Sequence, residues 1–171
     1  WIEHVKSLNG GAISFMKDTH TKDSTELKPG RFLEHCLKDS IENELIDELK
    51  EYEDDAYVYE KNSTSGIFAS RDEDGIKHSF LSDIKQMKQL REVIIMGCCS
   101  DICIPNLAIP LKCYFDEFNR DIHVCIPEDT IETFQIEIGE DGDKKIIHDR
   151  KKYTDAAWLL MEQAGIQKVL K

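Results

Sequence analysis

Cys103 is the residue whose surroundings in the sequence best fit a catalytic role. Residues 93–96 form an apolar run typical of a buried parallel strand, and Ser100 and Asp101 are favourable N-cap residues for a following helix. Cys103 is therefore predicted in the first turn of a helix past the carboxyl end of a strand, where open α/β sheets place their active sites. The helix N-terminus favours a thiolate, which indicates a nucleophile; the alternative is an inert buried thiol.

Asp18, His20 and His35 have the side-chain types of a metal site. Asp18 and His20 follow a predicted strand, 12–17, and residues two apart in an extended segment can point the same way. A histidine from a neighbouring loop would complete a set of two histidines and one carboxylate, with open positions for water or substrate. Zinc, iron and manganese all suit such a divalent-metal set, and zinc is our first choice. The alternative is that all three are surface polar residues in loops.

These residues lie in a sequence whose strand and helix patterns alternate. The alternation predicts an α/β fold, a three-layer sandwich with a mainly parallel sheet flanked by helices. The less regular region 131–149 indicates a hairpin or an excursion with a turn at 139–143. Predicted strands are 12–17, 56–59, 93–96, 121–126 and 166–170; predicted helices are 1–8, 40–51, 79–90, 100–119 and a last one that begins at Asp149 or Thr154. The predicted buried faces are Ile41, Leu45, Ile46 and Leu49 in one helix, and Ala157, Leu160, Met161 and Ala164 in the last.

Length and charge limit the classes of protein and partner. A chain of 171 residues suits a single domain, 1–171, and 40% hydrophobic with 33% charged residues is an ordinary composition for a globular protein. The net charge of −12 argues against nucleic acid and anionic membranes as partners. No apolar run approaches the length of a membrane span.

Cysteine usage bears on the compartment. Six cysteines, two of them adjacent at Cys98 and Cys99, in an α/β pattern favour free thiols in the reducing cytoplasm over disulfides. The acidic helices and the region 131–149 could form an interface in a homo-oligomer, but no spacing in the sequence decides this.

The segment 97–103, Gly-Cys-Cys-Ser-Asp-Ile-Cys, resembles the nucleophile segment of the isochorismatase-like cysteine hydrolases, which include the nicotinamidases. The resemblance covers nearly the whole chain and implies the fold of that family. Three further matches occur in the family's order: Asp18-Thr19-His20 with His35-Cys36, Lys61 ahead of a serine-rich stretch, and the loop 127–130 after a later strand.

The resemblance implies a cysteine-dependent amide hydrolase acting on a small-molecule amide, most specifically the conversion of nicotinamide and water to nicotinate and ammonia. It assigns Cys103 as the nucleophile that forms a thioester, and Lys61 as a catalytic lysine that stabilises the thiolate and the oxyanion. The oxyanion hole would be the backbone N–H groups of Cys99 and Cys103. The family also has a cis peptide at the position of Cys98–Cys99.

In the family's nicotinamidases, the residues that match Asp18, His20 and His35 hold a divalent metal. Their aromatic substrate wall is only partly retained, since Thr19 replaces a tryptophan and Thr64 replaces a tyrosine. The pocket residues predicted here are Thr19, Thr64 and Phe68, with Trp1 as a further aromatic candidate.

The family's catalytic aspartate lies on a first strand, and no acidic residue in this sequence matches its motif. We therefore expect that this aspartate and its strand precede Trp1 and are missing from the numbered chain. The alternatives to a nicotinamidase are a hydrolase of another small amide or of an isochorismate-like substrate, and a non-catalytic member of the fold that binds a partner.

Overall fold

Strand pairing and contacts divide the chain into two compact units, Trp1–Gln86 and Met87–Lys171. The structure is a computed structural model, and it describes residues 1–8, 10–29, 31–140 and 143–170. We call the two units the N-terminal unit and the C-terminal unit. The prediction of one domain over 1–171 stays a prediction.

The N-terminal unit is built on two parallel strands, β1 (Ile13–Asp18) and β2 (Ala56–Lys61). Their register places Asp18 opposite Lys61 at the carboxyl ends of both strands. The hairpin β3 (Ser70–Glu73) and β4 (Ile76–Ser79) extends the sheet in the order β1-β2-β3-β4. The described residues of this unit also form the short α-helices α1 (Ile2–Ser7), α2 (Asp47–Lys50) and α3 (Phe80–Gln86). Its core residues are Tyr59, Ile67, Ala69, Phe80 and Ile84.

The predicted helix 40–51 is wrong. The chain forms a 3-10 turn, Ile41–Asn43, and the single turn α2 in its place, and Ile41 and Ile46 are 84% and 63% exposed. The buried Asn43 side chain donates hydrogen bonds to the Asp18 main-chain oxygen (2.5 Å) and to Thr19 Oγ1 (2.8 Å). Such long-range side-chain bonding competes with helix formation, so the apolar spacing does not decide the local structure.

The hairpin of β3 and β4 was not predicted. Its turn contains Asp74 and Gly75, both at positive φ (55° and 78°). Asp-Gly is a typical sequence for a two-residue hairpin turn, so a local pattern for this hairpin is present in the sequence.

The C-terminal unit has a sheet of three parallel strands, β5 (Glu92–Ile94), β7 (His123–Pro127) and β11 (Gln167–Val169). Their order in the sheet is β11-β7-β5. A short parallel pair joins β6 (Gly97–Cys98) to β8 (Ile131–Glu132), and β9 (Ile136–Ile138) pairs antiparallel with β10 (Lys145–His148). Helices α4 (Cys103–Glu117) and α5 (Arg150–Gln163) flank the strands. The core includes Ile95, Ala108, Leu111, Phe115, Val124, Ile126, Trp158 and Met161.

The predicted hairpin in 131–149 is confirmed by β9 and β10, although two residues of its predicted turn, 141 and 142, lie outside the described residues. Of the two predicted starts of the last helix, Asp149 and Thr154, the structure selects Asp149, whose side chain caps the helix by accepting a hydrogen bond from Lys152 N (3.0 Å). The predicted burial of Leu160 is wrong: it is 59% exposed, and the neighbouring Trp158 is buried. The larger indole takes the inward position, because it removes more apolar surface from water.

Several predicted element ends also shift. The predicted helix 79–90 ends as α3 at Gln86, and the predicted strand 93–96 is β5, with Met96 37% exposed. In the part of the chain that the structure describes, no helix has the length and apolar character needed to cross a membrane.

Candidate functional site

The nucleophile turn, residues 97–103, leads from β6 into α4. Cys103 is the first residue of α4, as predicted. The peptide bond between Cys98 and Cys99 is cis, the conformation that the family resemblance implies. The main-chain oxygen of Cys99 accepts hydrogen bonds from Ile102 N (3.1 Å) and Ile104 N (3.2 Å), so the backbone wraps around this carbonyl. These bonds direct the N-terminal end of α4, with its partial positive charge, toward the turn.

The predicted N-cap roles of Ser100 and Asp101 are wrong, because Ile102 is the N-cap and no side chain caps the helix. Ser100 is fully buried, with Oγ 2.7 Å from Thr154 Oγ1, and its N–H donates to Glu132 O (2.9 Å). Asp101 accepts a hydrogen bond from His148 instead. Both side chains thus bind partners far along the chain, which sequence spacing does not reveal.

The thiols of the C-terminal unit differ in their surroundings. A hydrogen bond with the Cys98 thiol, and then burial, raise the pKa of the Cys99 thiol well above its ordinary value. Cys99 therefore stays protonated near neutral pH and is a poor nucleophile. Cys103 is half-buried, and Cys113, further along the same helix, is exposed. No disulfide joins any of the six cysteines in the part of the chain that the structure describes.

In the N-terminal unit the structure brings together the predicted metal ligands. One ligand atom from each of Asp18, His20 and His35 lies within 4.8 Å of the other two. Asp18 ends β1, and His20 forms an isolated parallel bridge with Leu37. This bridge, with His20 N donating to Cys36 O (3.0 Å), holds the loop that carries His35 beside the end of the strand.

Each of the two histidines has its Nδ1 beside an oxygen acceptor. His20 Nδ1 lies 3.0 Å from Asn62 Oδ1, and His35 Nδ1 lies 2.7 Å from Leu33 O. Because both of these oxygens accept, each Nδ1 carries the proton and each Nε2 keeps its lone pair, which is the form that binds a metal. His20 Nε2 is buried and has no hydrogen-bond partner within the described residues. A buried nitrogen of this kind, beside a carboxylate and a second imidazole, fits a divalent cation.

Lys61 ends β2 and is buried. Its Nζ donates hydrogen bonds to Asp18 Oδ1 and to Ser63 O, the latter at 3.1 Å. Asp18 thus faces both the Lys61 ammonium and His20, whose Nε2 lies 3.8 Å from Asp18 Oδ1. The pair keeps the charge of the Lys61 side chain balanced in its buried position.

The three predicted pocket residues are in different surroundings. Thr19 is buried and its Oγ1 accepts from Asn43, whereas Thr64 is half-buried and its N–H donates to Glu26 Oε1 (2.8 Å). Phe68 is 79% exposed. It lines a cleft of about 460 Å³ together with Ser70, Lys77, His78, Ser79 and Ser82. Neither threonine is among those lining residues.

Sequence reasoning missed the residues that support the candidate ligands. Asn62 orients His20, Asn43 holds the backbone of Asp18, and the buried Glu26 holds Thr64. Asn62 directly follows the predicted Lys61, so its place at a strand end was a usable indication. No sequence pattern pointed to Asn43 or Glu26, because their contacts arise from loops.

A family model, the isochorismatase domain, matches residues 1–152. A comparison of the sequence with curated proteins finds no significant match. Among solved structures, a nicotinamidase from Bacillus subtilis has 18% sequence identity and a TM-score of 0.62, covering 94% of this chain and 76% of that chain.

Two further similar structures are complexes with a ligand. The pyrazinamidase of Pyrococcus horikoshii in complex with zinc has 19% identity and a TM-score of 0.62, covering 99% of this chain and 82% of that chain. A protein from L. infantum in complex with nicotinate has 17% identity and a TM-score of 0.67, covering 99% and 79%. At these identities the likeness shows the fold, which confirms the predicted α/β class with mainly parallel strands and flanking helices. Because the family model spans most of the chain, this protein is a member of the isochorismatase family of hydrolases.

Proposed function

We propose that this protein is a cysteine-dependent amide hydrolase of the nicotinamidase type, which converts nicotinamide and water to nicotinate and ammonia. The observation that carries the proposal is the set of Asp18, His20 and His35, with both histidines held so that Nε2 can bind a metal. An isochorismatase-type reaction needs neither this set nor a thiol at the start of α4. The nicotinamidase and pyrazinamidase among the similar structures add support at the level of the fold.

The proposed reaction begins at Cys103. Its thiolate attacks the carboxamide carbon, a C–S bond forms, and the carbonyl electron pair moves to oxygen. The backbone N–H groups of Cys99 and Cys103 are the proposed donors to this oxyanion. The C–N bond then breaks and the nitrogen leaves as ammonia after it gains a proton. Water hydrolyses the thioester, which releases the carboxylate product and the Cys103 thiol.

Lys61 and the metal ligands have separate proposed roles. We assign Lys61 to the stabilisation of negative charge during the reaction, in keeping with a buried ammonium that a carboxylate already holds in place. Asp18, His20 and His35 would hold the divalent cation, with zinc as the first choice and iron and manganese as alternatives. When bound, the cation would supply a Lewis acid for the ring nitrogen of the substrate and thereby orient it.

A second candidate is a hydrolase of a smaller, non-aromatic amide. Thr19 and Thr64 stand where the family's nicotinamidases have aromatic residues, and Phe68 is largely exposed. Thr19, Thr64 and Phe68, the proposed pocket residues, would then form a wall with little capacity to stack a pyridine ring.

The test is ammonia release from nicotinamide by the full-length gene product in the presence of zinc, with Cys103→Ala as the nucleophile variant. Cys113→Ala is the matched control, because Cys113 is an exposed thiol on the same helix. We expect Cys103→Ala to lower the rate at least about a thousandfold and Cys113→Ala to leave it unchanged. Full activity of Cys103→Ala would overturn the mechanism. Cys103-dependent release from an aliphatic amide, with none from nicotinamide, would favour the second candidate.

A further inference from the structure

The proposed reaction leaves unexplained a buried ion pair between His148 and Asp101. We propose that His148 is a positioning residue for Cys103: it neutralises the Asp101 carboxylate beside the nucleophile turn and so favours the Cys103 thiolate. The inference rests on the proposed function only in taking Cys103 as the nucleophile.

Two oxygen acceptors flank the His148 ring, one at each nitrogen. His148 is the last residue of β10, and its Nε2 lies 2.9 Å from Asp101 Oδ2. On the other side of the ring, Nδ1 lies 2.9 Å from Phe134 O. A carboxylate and a main-chain carbonyl are both acceptors, so an imidazole that satisfies both must donate from both nitrogens. The doubly protonated, cationic ring does this.

Aromatic rings hold this imidazolium on both faces. Phe134 stacks on one side and Tyr153 on the other, each with a centroid separation of 4.3 Å and with interplanar angles of 28° and 14°. A protonated ring between two aromatic faces gains cation–π stabilisation, and the stacking favours the orientation that faces Asp101. The ring is therefore fixed by two hydrogen bonds at its edge and two stacked faces.

Asp101 needs this counter-charge. Its side chain is only 6% exposed, and no described residue hydrogen-bonds its Oδ1. A carboxylate in such a position is costly unless a cation neutralises it. The other charged pair close by in sequence, Arg150 with Glu132 (3.6 Å), is solvent-exposed and balanced within itself. His148 is thus the cation that faces the Asp101 carboxylate.

The consequence for Cys103 is electrostatic. Asp101 precedes Cys103 by two residues at the start of α4. A carboxylate without its counter-charge there opposes ionisation of the thiol, and it also offsets the positive end of the helix. When protonated His148 is hydrogen-bonded to Asp101, the pair is neutral. The positive end of the helix then favours the thiolate without an opposing negative charge.

The test is the rate of Cys103 alkylation by iodoacetamide across pH 5 to 10, followed on the intact chain by peptide mass spectrometry. Alkylation reports the thiolate. The variants are His148→Gln, Asp101→Asn and the double variant, and the control is His123→Gln, an exposed histidine on β7. Circular dichroism checks that each variant folds.

We expect His148→Gln to raise the midpoint pH of Cys103 alkylation by about one unit, equivalent to about tenfold slower alkylation at pH 7. Adding Asp101→Asn to His148→Gln should restore the rate to within about threefold of the original, since the opposing charge is gone. An unshifted midpoint in His148→Gln overturns the proposal, as does a double variant no faster than His148→Gln. Should His148→Gln fail to fold, Asp101→Asn alone decides: a midpoint at or below the original supports the proposal, and a higher one overturns it.

This experiment is independent of substrate turnover. A shifted midpoint without ammonia release from nicotinamide would leave the positioning role in place and refute the proposed substrate. Ammonia release that depends on Cys103, together with an unshifted midpoint, would support the proposed substrate and overturn the positioning role of His148.

Discussion

The candidate metal set of the N-terminal unit is Asp18, His20 and His35. This set and the nucleophile turn of the C-terminal unit both lie at the carboxyl end of a strand, but different contacts support them. The metal set is held by oxygens from nearby loops and strand ends: Leu33 O for His35 and Asn62 Oδ1 for His20. The nucleophile turn is held by residues of the segment 132–154, which lies after α4 in the chain.

The kinds of contact differ as well. Around the metal set, side-chain hydrogen bonds select which imidazole nitrogen is available, so they act on affinity for a cation. Around the nucleophile turn, backbone bonds set the path of the chain and an ion pair sets the local charge, so they act on the reactivity of a thiol. Because the supports differ, we expect that a substitution can weaken cation binding without changing the reactivity of the thiol, and the reverse.

Among the substitutions that compare these two regions, the largest expected effect is that of His20→Ala on zinc binding. Removal of the buried Nε2 leaves two ligands, and we expect zinc affinity to fall at least about a hundredfold, while Cys103 alkylation keeps its rate. Isothermal titration calorimetry measures the affinity. His4→Ala, an exposed histidine on α1, is the control and should bind zinc as the parent does. Unchanged zinc affinity in His20→Ala would show that these three residues are not the metal site.

Asn62→Ala removes a residue that orients His20 but leaves all three candidate ligands in place. Without Asn62 Oδ1, His20 Nδ1 loses its nearer oxygen partner and keeps Ser24 Oγ, which lies 3.5 Å away and can donate as well as accept. We expect zinc affinity to fall about 10- to 100-fold, between the parent and His20→Ala. An Asn62→Asp variant, which retains an acceptor oxygen, should recover most of the affinity. Equal losses in Asn62→Ala and Asn62→Asp would contradict the tautomer argument.

Thr154→Val tests the support of the nucleophile turn. The variant keeps the side-chain shape but leaves the buried Ser100 Oγ without its hydroxyl partner. We expect the free energy of unfolding to fall by about 1 kcal/mol, measured by urea denaturation, with zinc affinity unchanged. Ser100→Ala combined with Thr154→Val should cost less than the sum of the single changes, since neither hydroxyl is then left alone. Strict additivity would show that the two hydroxyls do not interact.

The smallest expected effect is a pH dependence of stability in the C-terminal unit. Burial, and then the nearby Glu92 carboxylate, raise the pKa of the Cys125 thiol from 9.0 to about 11. Because the folded state holds this proton more tightly, the contribution to stability is complete below pH 9 and is lost as pH rises toward 11. By pH 9.5 we expect a loss of less than about 1 kcal/mol. Cys125→Val should remove this slope and Cys113→Val should not; equal slopes in both variants would contradict the assignment.

Local patterns predicted the elements on which the chemistry depends. Cys103 at the start of α4 follows from an apolar run, a glycine and a helical pattern within a short stretch, all of which are local properties. Asp18 and His20 were predicted as neighbours for the same reason, since Asp18 ends β1 and His20 lies two residues after it. The prediction of a helix over 40–51 was wrong because the Asn43 side chain binds Asp18 and Thr19 at the end of a distant strand. These contacts influence the local conformation of Asn43.

The sequence by itself determined the α/β class, the family and the residue types of both candidate sites, because these depend on composition, periodicity and short motifs. Only the tertiary structure decided which acceptor fixes each histidine, that Lys61 binds Asp18, and that His148 binds Asp101 between two aromatic rings. Each of these contacts joins side chains from different loops or strands, and their orientation depends on packing that no short window of sequence contains.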